Sequence, residues 1–68
     1  MREEFSPMGP VEALKLALEK EIEAYNMYQE LLRRSNNRSV IDTLTFLADQ
    51  EYKHRLLIEE KTQELTKE

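Results

Sequence analysis

Apolar residues recur at helical spacing in the first half of the chain. From Val11 onward they fall at steps of three and four, the spacing that makes one face of an α-helix apolar. With about 100° of rotation per residue, this stripe is centred on a charged residue, Glu21. The stripe residues within roughly 80° of it are Ala13, Leu14, Ala17, Leu18, Ala24, Tyr25, Tyr28, Leu31 and Leu32. Pro10, which suits the first turn of a helix, marks the start.

A second stripe of the same kind runs through the C-terminal half. Its members are Val40, Leu44, Leu47, Glu51, His54, Ile58 and Leu65, with Glu51 at the centre. Between the stripes, the polar run of residues 34–38 is the one interior break, and Ser39 with Asp42 resembles a helix-capping box. The pattern predicts helices over about residues 10–34 and 40–65, a turn at 35–39 and a flexible lead-in at 1–9, so that residues 10–66 form a single helical domain.

Such a short turn requires the two helices to run antiparallel, as an all-α hairpin. Glu21 lies 16 residues before Asn37, near the centre of the turn, and Glu51 and His54 lie 14 and 17 residues after it. Because both helices rise by about 1.5 Å per residue, the three side chains are expected at nearly the same height on the inward face. The sequence therefore predicts two carboxylates and the chain's single imidazole converging inside an apolar layer.

A divalent cation would compensate for that arrangement. Carboxylates buried without a partner cost several kcal/mol or take up a proton, whereas a metal ion uses their oxygens and an imidazole nitrogen as ligands. Glutamate is so frequent here that Glu51 three residues before His54 is weak evidence alone, but the stripe position and the register with Glu21 add to it. We interpret the three residues as metal ligands. The alternatives are a polar layer that fixes helix register and a hydrogen-bonded imidazole at an interface.

Composition narrows the class of protein further. Sixty-eight residues make one small domain, and without cysteine the chain has no disulfide and no thiolate metal site. A chain this short therefore needs a metal, association, or both to be stable. Its net charge of −4, without a basic cluster, argues against nucleic acid as a partner, and no apolar run reaches membrane length. The absence of cysteine fits a reducing cytoplasm.

Two segments of the chain resemble a known family. Residues 21–28 carry Glu with a small residue three positions on and Tyr seven positions on, and residues 46–54 carry Leu-Ala before Glu-x-x-His. This pattern resembles the rubrerythrin-like branch of the ferritin-like superfamily, in which a four-helix bundle holds two metal ions on single Glu residues and Glu-x-x-His motifs. The resemblance covers roughly residues 13–60. This chain carries only half of such a site, as the short two-helix encapsulated ferritins do.

The resemblance implies a role for each residue. Glu21 would be a terminal ligand, Glu51 a metal-bridging ligand and His54 a terminal nitrogen ligand, with Tyr28 and Tyr25 as neighbours able to hydrogen-bond the ligand carboxylates. It implies a non-haem di-iron protein of ferroxidase or peroxidase type, which oxidises ferrous iron with dioxygen or hydrogen peroxide. Manganese or zinc would suit the same ligands. It also implies a cytoplasmic location, within a protein compartment if the likeness to encapsulated ferritins holds.

A two-helix hairpin has one apolar face and nothing of its own to cover it. Two copies packed face to face with twofold symmetry give a four-helix bundle, and half a site becomes a whole one. Two iron ions per homodimer would neutralise its four carboxylates. Apolar residues off the stripe, among them Phe46, Leu56 and Leu57, predict further contacts and so a homo-oligomer larger than a dimer. The alternatives to a redox role are a non-catalytic helical oligomerisation module and a structural zinc-type site.

Overall fold

The computed structural model describes residues 8–67, which form two α-helices and no strand. Helix α1 spans Pro10–Arg33 and helix α2 spans Arg38–Thr66. The start of α1 lies beside the end of α2, because Leu18 and Thr62 line one cavity while Leu32 and Thr45 line another. The helices are therefore antiparallel, and the predicted all-α hairpin is confirmed for this part of the chain. Neither helix combines the length and apolarity that crossing a bilayer requires, as far as the described residues go.

Helix α1 begins as the sequence predicts. Gly9 precedes it, and the Gly9 N–H donates to Oε1 of Glu12 at 3.1 Å, which satisfies one of the backbone donors that a helix start leaves unpaired. Pro10 occupies the first helical position, where it sacrifices no hydrogen bond. The helix ends at Arg33, and the hydroxyl of Ser35 then donates to the carbonyl of Leu31 at 2.7 Å. Of the predicted lead-in, residues 1–7 lie outside the described range.

The cap of α2 differs from the prediction. Asn37, not Ser39, precedes the helix, and its Oδ1 accepts a hydrogen bond from the Val40 N–H at 3.0 Å. The predicted capping box of Ser39 and Asp42 is therefore wrong, and both residues lie within α2. Asparagine caps a helix as well as serine does, and here it stands two residues earlier. The connection consequently shortens to residues 34–37, which holds the hairpin in tight register.

The interior of this hairpin is small. Ala48, 3% exposed, is the one buried residue of the range 8–67, and no large side chain there is fully buried. The two predicted stripes are mostly half-buried rather than enclosed. Large apolar side chains that remain exposed are Met8, Met27, Leu31, Val40, Phe46, Tyr52, Leu56, Leu57 and Leu65. A single hairpin therefore aligns the apolar stripes but does not bury them.

Candidate metal centre

Glu21, Glu51 and His54 meet at one point between the two helices. His54 Nδ1 lies 3.5 Å from Oε1 of Glu21 across the hairpin and 3.7 Å from Oε1 of Glu51 on its own helix. One potential ligand atom from each residue lies within 4.8 Å of the others. The predicted convergence of these three side chains is confirmed.

The local structure explains this meeting. Residues three apart on a helix are neighbours on its surface, so Glu51 and His54 project from adjacent turns of α2. The tight connection at residues 34–37 fixes how far α2 slides along α1. That register brings the middle of α1, where Glu21 lies, level with Glu51 and His54.

The site is more open than predicted. The sequence predicted an enclosed apolar layer, but the side chains of Glu21 and Glu51 are 25% and 21% exposed and that of His54 is 51% exposed. The reason is geometric, because two helices can cover only one side of a group that lies between them. The imidazole consequently stands at the rim of the hairpin, on the side that a second layer of helices would cover.

The two carboxylates strain against each other. Oε1 of Glu21 is buried and has no hydrogen-bond partner among the described residues. The pKa of Glu51 is raised, first because its protonated carboxyl can hydrogen-bond to Glu21, then by burial and by the negative charge of Glu21, while His54 acts in the opposite direction. Without a cation, therefore, Glu51 tends to hold a proton that relieves its repulsion with Glu21.

Nearby basic side chains do not relieve this repulsion, since they pair elsewhere. Lys53 Nζ lies 3.3 Å from Oδ2 of Asp49, and Arg55 Nε lies 3.2 Å from Oε2 of Glu59. A divalent cation bound between the carboxylates would replace the proton and give the unpartnered oxygen of Glu21 a ligand bond. Two carboxylates and one neutral imidazole suit iron, manganese or zinc, and three protein ligands leave coordination positions open.

The tyrosines divide between two positions. The ring of Tyr25 packs against that of Tyr52, with centroids 6.3 Å apart and planes tilted by 47°. Tyr28 is half-buried on α1, and its predicted hydrogen bond to a ligand carboxylate stays a prediction. The contact between Tyr25 and Tyr52 was missed because Tyr52 lies off the stripe. Their positions, 12 residues before and 15 after Asn37, already placed them at similar heights.

No protein-family model, curated protein or solved structure matches this chain. Its functional interpretation therefore depends on the residues of the site and on the likeness of its motifs to the rubrerythrin-like pattern.

Proposed function

We propose that the chain is a homodimeric non-haem iron protein of the rubrerythrin-like type, in which Glu21, Glu51 and His54 of each copy hold a di-iron centre. Bound iron would supply the redox chemistry by giving electrons to dioxygen or hydrogen peroxide. One observation carries the proposal above the others. A buried carboxylate oxygen of Glu21 lacks any hydrogen bond, yet it lies within reach of a second carboxylate and an imidazole. Such a gap is what a cation between those atoms would fill.

The orientation of Glu51 supports completion of the site by a second hairpin. Ala48, which lines a cavity with residues of α1, faces that helix. Ala48 and His54 each lie three residues from Glu51 and therefore about 60° to either side of it around α2. In a square four-helix bundle, the direction to the bundle axis bisects the directions to the two neighbouring helices. A second hairpin on the His54 side would thus place Glu51 on the axis of the bundle.

The uncovered apolar stripe supports the same partner. A hairpin face about 36 Å long and two helices wide exceeds the roughly 1,000 Å² of total buried area that a stable interface needs, counted over both partners. With Ala48 as the one buried residue of the described range, the hairpin has little core of its own. A second copy is the simplest cover, because twofold symmetry also doubles the ligand set.

The residues have defined tasks in this dimer. Four carboxylates bring a charge of −4 that two divalent ions neutralise, so binding releases any proton held by Glu51. The imidazole of His54 binds metal as the neutral form, and the partner's helices would exclude water from its exposed side. Open coordination positions would admit the oxidant, so no protein nucleophile is required.

A second candidate function is a structural metal site, with zinc in place of iron. The ligand set favours it as much as iron, since two carboxylates and an imidazole suit zinc equally well. A third is an oligomerisation module without metal, in which the polar layer only fixes register; the exposed apolar stripe is consistent with it.

Metal analysis of the purified chain distinguishes the three. After growth in iron-supplemented medium we expect a dimer with about one iron per chain. Glu51→Ala and His54→Ala should lose the metal, whereas Glu60→Ala, an exposed glutamate on the same helix, should retain it. Stoichiometric zinc from cells supplied with both metals would favour the structural site. A metal-free dimer that takes up neither metal on reconstitution would overturn the proposal.

A further inference from the structure

An aromatic pair links the two helices beside the candidate metal centre. Tyr25 and Tyr52 approach with ring centroids 6.3 Å apart, and the guanidinium carbon of Arg55 lies 5.9 Å from the Tyr52 ring centre. The two rings line an open groove of about 280 Å³ together with residues such as Gln29 and Asp49. Tyr52 is 44% exposed, so the pair reaches from the hairpin interior to its surface.

Both rings are close neighbours of metal ligands along the chain. Tyr25 follows Glu21 by one helical turn, about 6 Å along the axis, and Tyr52 directly follows Glu51. Around α2, Tyr52 points about 160° away from His54. In the proposed dimer the second hairpin covers the His54 side, and the tyrosine groove stays on the outer surface. The pair therefore connects the centre to solvent by a route that the dimer leaves open.

Packing alone accounts poorly for this arrangement. Tyrosines placed for packing bury their rings and satisfy their hydroxyls, whereas Tyr52 is exposed and neither phenol has a hydrogen bond within the described residues. Two phenols in contact beside a redox metal provide oxidisable groups.

We propose that the Tyr25–Tyr52 pair donates an electron to hydrogen peroxide when the centre holds a single ferrous ion. The inference rests on the proposed iron function. Reduction of peroxide takes two electrons, and one ferrous ion supplies only one. A phenol supplies the other: one ferrous ion, one hydrogen peroxide and one tyrosine give one ferric ion, one hydroxide, one water and one tyrosyl radical. The O–O bond breaks, the phenol O–H bond breaks, and the phenol proton goes to the water.

A half-filled dimer is where this step matters. Each hairpin carries its own three ligands, so one half can bind iron before the other. The tyrosines then direct the unpaired oxidising equivalent to the outer groove instead of to the ligands. A small reductant such as ascorbate restores the phenol there by donating a hydrogen atom.

The experiment uses the full chain, loaded anaerobically with one ferrous ion per dimer and mixed with one equivalent of hydrogen peroxide. Rapid freezing and electron paramagnetic resonance should detect a tyrosyl radical, and mass spectrometry should locate oxidised tyrosine. The signal should fall to background in the double variant Tyr25→Phe, Tyr52→Phe. It should persist in the matched control Tyr28→Phe. Phenylalanine keeps the ring packing, and circular dichroism checks that the variants keep their helices.

Filling the second half of the site provides an internal control, because a second ferrous ion supplies the missing electron and should lower the radical yield. A signal that survives the double variant, or that disappears with Tyr28→Phe, would overturn the inference. Iron that binds and is oxidised without any radical would overturn it while leaving the proposed function intact. Failure of the chain to bind ferrous iron would overturn both.

Discussion

His54 Nδ1 lies 3.5 Å from Oε1 of Glu21, although the two residues stand on different helices. A cation held by both would therefore tie α1 to α2 at mid-length. The hairpin otherwise has little to hold it, since Ala48 is the one buried residue in the described range. Metal binding and folding of this chain are for that reason expected to be linked.

Divalent metal should stabilise the folded chain. Ferrous iron at about 100 times its dissociation constant, kept anaerobic, should raise the free energy of unfolding by about 2.7 kcal/mol. Glu21→Gln keeps the shape of the side chain but removes its charge, so most of this increase should vanish. Glu23→Gln, on the exposed side of the same helix, should retain it. Thermal unfolding with and without metal gives the result, and equal stabilisation of both variants would contradict a role for Glu21.

Replacing Glu21 by leucine should affect the metal-free and metal-bound proteins in opposite directions. The change removes a buried oxygen without a hydrogen bond and extends the apolar stripe, so the metal-free chain should become more stable by about 1 kcal/mol. The same variant should lose the added stability that metal gives. Denaturant unfolding with and without metal measures both effects. A Glu21→Leu protein that binds metal as tightly as the natural one would exclude this residue as a ligand.

The amino-acid pattern predicted much of the fold because helix formation depends on local information. Steps of three and four between apolar residues, with Pro10 at the start, located both helices to within about two residues of their observed ends. The convergence of Glu21, Glu51 and His54 followed from helix rise and a short connection alone. That geometry changes little with the surroundings of the hairpin.

Other features depend on information that the pattern does not contain. Asn37 and Ser39 are similar caps, and which one starts α2 depends on how tightly the connection closes. The exposure of His54 depends on what covers the hairpin, which a stripe on a single helix does not specify. The contact between Tyr25 and Tyr52 was overlooked because Tyr52 lies off the stripe, beside the partner helix rather than facing it.

The cap of α2 can be tested by paired substitutions. Asn37→Ala removes the oxygen that accepts from the Val40 N–H, so the free energy of unfolding should fall by about 1 kcal/mol. Ser39→Ala lies inside the first turn and should change stability by less than about 0.5 kcal/mol. Chemical denaturation of both variants, under the same metal conditions, is the measurement. The reverse order of effects would restore the cap that the sequence suggested.

Stability of the metal-free protein should decrease as pH rises above the ordinary glutamate value of 4.5. The folded chain raises the pKa of Glu51, so it binds more protons than the unfolded chain between the ordinary and the raised value. The stabilisation is complete below that window and lost as pH passes through the raised value. Metal competes with the same proton, so metal affinity should increase over this window.

Unfolding and metal titrations at a series of pH values, with Glu51→Gln as the comparison, test this linkage. The substitution removes the titrating group and should flatten the change in metal-free stability within the window. If the natural protein and Glu51→Gln show the same pH profile, the carboxylates do not share a proton.

The dimer should depend on the side of α2 that carries His54. Leu47 lies about 20° from His54 around that helix, whereas Leu56 lies about 160° away. Leu47→Glu would place a charge in the proposed interface, so it should dissociate the dimer and reduce metal binding with it. Leu56→Glu makes the same chemical change on the opposite side and should leave both intact. Sedimentation equilibrium of the metal-loaded proteins gives the masses. A dimer that survives Leu47→Glu but separates with Leu56→Glu would place the partner on the tyrosine side of the hairpin, where it could not complete the coordination of His54.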